Sequence, residues 1–179
     1  MRFARDILLI DLETTGTNPQ KDFPLQLAAV LLDKDNLLEK SSFGSYIKNS
    51  YSQTTNDRIV QTLGIQKEIW MRAPNLKEVI GKFNDNFPYN VTIASQNIMN
   101  VAFLQESFRR TSLVYEYDYH ILELWTLGYY FLAKQNIKKI PTASTLGLYF
   151  KLAPKKNDHD AFENVRYLAE ILRKLCKQI

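Results

Sequence analysis

Residues 7–16 read Ile-Leu-Leu-Ile-Asp-Leu-Glu-Thr-Thr-Gly. The apolar run that follows Arg5 and Asp6 is short and rich in strand formers, and Thr14-Thr15-Gly16 closes it with a turn. The pattern predicts a buried strand over residues 5–12. Side chains two apart on a strand share a face, so Asp11 and Glu13 point the same way at the strand's carboxyl end. Two carboxylates that close repel each other unless a cation sits between them or one is protonated. Taken alone, an Asp-x-Glu is also compatible with a plain, solvated strand end.

Downstream, Leu25–Leu32 and Ser41–Ile47 read as two more strands, with a polar turn at Asp33–Asn36 between them. Their close spacing predicts a three-strand antiparallel meander. Helical periodicity then takes over. Pro74 opens a helix over 75–87 whose stripe is Leu76, Val79, Ile80, Phe83 and Phe87. Val91–Ser95 reads as a fourth strand, followed by a helix over 97–110. Tyr117–His120 reads as a fifth strand, followed by an aromatic-rich helix over 121–134 in which Tyr129, Tyr130 and Phe131 are expected to serve core packing. A short helix over 141–150 and a terminal helix over 158–177, with Asp160 and Glu163 at capping-box spacing, complete the chain. No repeat or linker interrupts it. The expected architecture is α/β, one domain over residues 1–179, with a mixed five-stranded sheet flanked by helices.

Composition narrows the function classes. With 45% hydrophobic and 23% charged residues, the chain is an ordinary globular sequence rather than a disordered one. Cys176 is its single cysteine, which excludes an internal disulfide framework. No apolar run is long enough for a membrane span, and the amino terminus lacks a leader's apolar core, so a cytoplasmic location is expected. The net charge of +4 is unevenly spread. Between Leu124 and Asn157 six lysines (134, 138, 139, 151, 155 and 156) meet no acidic residue, leaving −2 for the remainder. This segment is either a solvated lysine-rich surface or a rim that attracts phosphate.

The string Ile7–Gly16 resembles the first motif of the DEDD superfamily of 3′–5′ exonucleases, and the order of later segments keeps the resemblance. Pro24–Asp33 is similar to the family's second strand, and Thr62–Ile65 through Ala73-Pro74 to the loop and helix after its third. Ser95–Leu104 falls where the second motif belongs, and His159–Asn164 where the third does. The histidine five residues before the last motif position marks the DEDDh branch. The resemblance implies a ribonuclease H-like fold. It also implies Mg²⁺ or Mn²⁺ as a two-metal cofactor, with Asp11 bridging both ions, Glu13 holding one, and His159 as general base toward the attacking water. Thr14, Thr15 and Gly16 would lie against the terminal nucleotide of a single-stranded DNA or RNA 3′ end, although a plain turn accounts for them equally well.

Two motif positions depart from this pattern. Asn100 and Asn164 stand where the family has aspartates, and Ser95-Gln96 replaces its usual His-Asn pair. An asparagine keeps the shape but loses the charge and turns one oxygen into an NH₂ donor. Three readings follow: a metal-hungry exonuclease, an inactive member that binds nucleic acid or protein, or an active parent in which the asparagines were introduced to block cleavage. Asp160, one turn before Asn164, is a helix cap or a substitute ligand. The sequence leaves open DNA against RNA, a homodimer, and a polymerase partner.

Overall fold

A computed structural model describes residues 2–49, 53–157 and 159–178, with backbone only at 53–56. β1 (Ile7–Thr14), β2 (Pro24–Leu32) and β3 (Glu39–Tyr46) form the expected antiparallel meander. β4 (Thr92–Ser95) and β5 (Ile121–Glu123) add on the other side of β1, both in parallel, giving the order β3-β2-β1-β4-β5. The sheet is therefore mixed, and β1 is its middle strand.

Strand periodicity divides the core in two. Ile7 and Leu9 of β1, with Ala28, Val30 and Leu32 of β2, pack against α5 (Leu124–Lys134), α6 (Ala143–Tyr149) and α7 (Ala161–Gln178). Leu8, Ile10 and Leu12, with Leu27, Ala29 and Leu31, pack on the opposite face against α3 (Leu76–Asn86) and α4 (Ile98–Thr111). A one-residue slip of β1 would exchange these two sets and turn Asp11 and Glu13 away from α7, so burial of both faces fixes the register. Asn75 and Glu78 close α3 with a capping box. Two helices that periodicity did not resolve, α1 (Gln53–Leu63) and α2 (Lys67–Met71), form a satellite cluster in which Trp70 is fully buried with Leu25, Ile59 and Leu63.

The fifth strand is not at Tyr117–His120. Its ladder with β4 pairs Ile93 with Ile121 through Ser95 with Glu123. The Asp118 carboxylate accepts from the His120 backbone N–H at 2.9 Å, folding 117–120 into a turn. Tyr117 is buried in an aromatic cluster with Phe83, Phe108 and Tyr115, and this burial produced the strand-like signal. Because β5 takes residues 121–123, the following helix starts only at Leu124. The capping box at the last helix is also absent. The Asp160 side chain accepts from the Phe162 N–H at 3.0 Å, while Glu163 turns back to accept from the Lys156 and Asn157 backbone N–H groups. Among the described residues no helix is long and apolar enough to cross a membrane.

Gly128 tests the packing of α5 on α6. A Cβ there would lie 2.7 Å from Leu146 Cδ1 and 2.9 Å from Pro141 Cβ. Alanine in place of helical glycine ordinarily gains up to about 1 kcal/mol. Overpacking of this kind costs about 1–3 kcal/mol, so Gly128→Ala is expected to destabilise. Chemical denaturation reads the sign directly, and a more stable variant would refute the close contact.

Candidate active site

β1 leaves the core at its carboxyl end, where Asp11 pairs across the sheet with Ala28 and Glu13 with Gln26. Both carboxylates emerge on the α7 side. Asn100, in the first turn of α4, and Asn164, in the first turn of α7, approach them from either side. The Asn100 Nδ2 donates to Asp11 Oδ1 at 2.7 Å, and the Asn164 Nδ2 donates to Glu13 Oε1 at 3.1 Å. His159 stands exposed at the edge, its Nδ1 3.6 Å from Glu13 Oε2. The structure thus brings together all five side chains singled out in the sequence. Asp11, Glu13, Asn100 and Asn164 line a pocket of about 230 Å³.

Two further residues support this site; the sequence offered Lys155 only as one of six lysines in an acid-free segment, and Gln26 not at all. Lys155 reaches in from the loop before α7, its Nζ donating to Asn164 Oδ1 at 2.6 Å. Gln26, buried on β2, donates to Asp160 Oδ1 at 3.0 Å and accepts from the Ala161 N–H at 2.9 Å, so it ties the start of α7 to the sheet. Asp160 is occupied by Gln26 and by its own helix, and the cap reading therefore prevails over that of a substitute ligand. At the pocket wall Gln96 donates to Pro141 O at 3.0 Å, while its Oε1 is buried without a hydrogen-bond partner.

Burial dominates the electrostatics. It pushes the Asp11 carboxyl up to about 7. Hydrogen bonds from Asn164 and Asn100 and the positive charge of Lys155 oppose this shift, whereas the charge of Glu13 reinforces it. Glu13 is raised too, chiefly by burial, with His159 and Lys155 pulling the other way.

The turn after β1 is closed by its own threonines. Thr14 Oγ1 donates to Gly16 O at 2.7 Å, and Thr15 Oγ1 accepts from the Phe23 N–H at 3.0 Å. A Cβ on Gly16 would collide with the Asp22 carboxylate, so glycine here serves close packing inside the turn. Arg110 of α4 clamps the same loop. It donates to Asp22 O at 2.8 Å and Pro19 O at 2.6 Å, and its guanidinium lies 4.4 Å from the centre of the Phe23 ring. Charge-assisted hydrogen bonds contribute about 1.5–3 kcal/mol each, though not additively. Arg110→Ala is expected to cost about 2–3 kcal/mol and to raise amide hydrogen exchange over residues 15–23. Arg110→Lys should not restore protection, because lysine lacks the planar fork. Unchanged exchange in that loop would refute the clamp.

A family model described as exonuclease, RNase T type, matches residues 8–172. The chain belongs to this exonuclease family. No curated protein sequence is significantly similar to it. Among solved structures, cell-death related nuclease 4 (CRN-4) superposes with a TM-score of 0.82 at 18% identity, covering 98% of this chain and 64% of that one. The nuclease domain of 3'hExo, a DEDDh family member bound to rAMP, gives 0.77 at 16% identity and covers 97% and 92%. E. coli exonuclease I in complex with a dT13 oligonucleotide gives 0.76 at 18% identity and covers 97% and 41%. This chain therefore spans about two thirds of the first of these proteins and under half of the last. At such identities the superpositions carry the fold, which is the ribonuclease H-like fold of these exonucleases.

The residues of this exonuclease-family site do not fit a pair of divalent cations. Among the described residues no group of three or more His, Cys, Asp and Glu is arranged to hold a metal ion. Mg²⁺ and Mn²⁺ bind through hard, anionic oxygens. Here one oxygen of each carboxylate accepts from an amide NH₂, and the Lys155 ammonium supplies positive charge from within the pocket. The expectation of a two-metal cofactor meets a donor set reduced to two carboxylates, both of which burial drives toward protonation.

Proposed function

We propose that this exonuclease-family chain acts as one domain that holds the 3′ terminus of single-stranded nucleic acid in the pocket between β1, α4 and α7, and hydrolyses it slowly or not at all. One observation carries the reading: the Asp11 and Glu13 carboxylates are engaged by the amides of Asn100 and Asn164, with Lys155 beside them. In an ordinary member of the family those positions would be repelling anions awaiting metal. In this chain the pocket is compensated by its own side chains.

A pocket of that kind can still bind. Lys155 offers a positive charge to a terminal phosphate, and exposed His159 adds a hydrogen-bonding edge at the mouth. Relatives with this fold include proteins solved with rAMP and with dT13, which supports a nucleic-acid ligand.

Equilibrium binding tests the reading. A fluorescent oligonucleotide labelled at its 5′ end should bind, and the same strand blocked by a bulky 3′ group should bind at least about tenfold more weakly, the loss of about 1.4 kcal/mol. In parallel, labelled strand incubated with Mg²⁺ or Mn²⁺ should persist. Equal affinity for free and blocked ends would remove the end-binding pocket, and brisk shortening of the strand would remove the claim of impaired hydrolysis.

A further inference from the structure

Of the three adjacent aromatic residues on α5, only Phe131 is buried; Tyr129 is 54% exposed and Tyr130 57%. The expected core role of the two tyrosines is therefore corrected. α5 already buries Leu124, Gly128, Phe131 and Leu132, and Tyr129 and Tyr130 lie outside that stripe. One turn before Tyr129 stands Trp125, 38% exposed, and the two rings stack with centroids 5.1 Å apart and planes 19° from parallel. Tyr129 also lines a cavity of about 470 Å³, walled by Ala133, Lys138, Lys139 and the two-thirds exposed Ile140. The Lys134 ammonium lies 6.0 Å from the Tyr130 ring. This is the acid-free segment of the sequence, folded so that Lys134 lies near Tyr130 and Lys138 and Lys139 share a cavity with Tyr129.

Gln96 links the patch to the candidate active site. The Trp125 backbone N–H donates to Gln96 O at 3.0 Å, and Gln96 in turn donates to Pro141 O at 3.0 Å. Gln96 and Ala143 both wall the pocket that holds Asp11 and Glu13. A strand whose end sits in that pocket thus has this surface beside it. The acid next to Trp125, Glu123, is already engaged by the Ile98 N–H and the Thr126 hydroxyl.

We propose that Trp125, Tyr129, Lys138 and Lys139 form a platform for the single-stranded segment on the 5′ side of the terminal nucleotide. Charge complementarity selects the occupant, because flat faces interleaved with ammonium groups match bases interleaved with phosphates. The two rings already touch, so a base stacks on an outer face of the pair rather than between them. The platform rests on the reading that the pocket receives a 3′ end.

The chain supplies its own probe. It has two tryptophans, of which Trp70 is fully buried and Trp125 exposed, so a change in emission on binding reports Trp125. A strand of about twelve nucleotides, long enough to span an ordinary single-strand site, should quench that emission, and a dinucleotide should not. Stacking contributes about 1–3 kcal/mol per base, so Trp125→Ala and Tyr129→Ala should each weaken the long strand about fivefold to a hundredfold while leaving the dinucleotide unchanged. Lys138→Ala with Lys139→Ala should flatten the slope of log affinity against log salt by about 0.7 for each phosphate that is no longer neutralised. A long strand that binds no better than the dinucleotide, or aromatic variants that hold it with undiminished affinity, would overturn the platform while leaving the pocket standing. Failure to bind either ligand would instead remove the pocket reading, and the platform with it.

Discussion

Asn100→Asp combined with Asn164→Asp is expected to raise Mn²⁺-dependent hydrolysis of a single-stranded oligonucleotide by about 10²–10⁴-fold. Each restored position contributes about 10–100-fold, the range for groups that support metal binding. The geometry explains why both changes are needed. Asn100 donates to Asp11 at 2.7 Å and Asn164 to Glu13 at 3.1 Å, and Asn164 also holds Asp11 by a hydrogen bond, so the two amides together engage both carboxylates. Replacing one leaves the other carboxylate engaged. With both replaced, four anions face one another in a small pocket, with Lys155 and the edge-standing His159 left to offset them. A second readout, independent of turnover, follows from that repulsion. In chelator the double variant should melt below the parent, and saturating Mn²⁺ should raise its midpoint, since a ligand at 100 times its dissociation constant stabilises by about 2.7 kcal/mol. The parent's midpoint should respond little to Mn²⁺. If the parent cuts briskly and the double change adds nothing, the amide–carboxylate argument is wrong.

How far the sequence could be read depended on how local each signal was. β1 and β2 were legible because both lie in apolar runs closed by turns, and the Asp11–Glu13 spacing placed two carboxylates on one face. Asn100 and Asn164 became conspicuous only through the ordered resemblance, since an asparagine in a first helical turn is otherwise unremarked. β5 was not legible: its three half-buried residues, Ile121–Glu123, continue without a break into the apolar start of α5. Tyr117 misled in the opposite direction, being strand-like in type but buried within an aromatic cluster. Lys155 lies in a loop without periodicity, and nothing in its neighbours separates it from Lys156, whose side chain is not among those lining the pocket. Tyr130 and Phe131 are adjacent residues of similar size. Tertiary packing alone decides that one is exposed and the other buried.

The second large effect expected is on stability. In the metal-free protein, Asp11→Asn should stabilise the fold at pH about 8 by up to about 4 kcal/mol and contribute almost nothing near pH 4. The native carboxyl is pushed up to about 7 from an ordinary 3.8. Between those two values the folded state holds a proton that the unfolded state has released. Stability therefore falls as pH rises through the window, at about 1.36 kcal/mol per unit, and the loss is complete above 7. Below the ordinary value both states are protonated, and the buried group exacts no penalty. Asparagine has the same shape and no charge to desolvate, and Asn100 need only rotate its amide to present oxygen to the new NH₂. Glu13 is raised by the same burial but titrates in both proteins, so most of its contribution cancels in the difference. Urea denaturation across this pH range measures the gap, and parallel curves for parent and variant would refute the buried-carboxylate account. Lys155 provides a control of opposite sign. Its ammonium is one of the groups holding Asp11 down, so Lys155→Met should raise the Asp11 carboxyl further and deepen the loss of stability toward neutral pH.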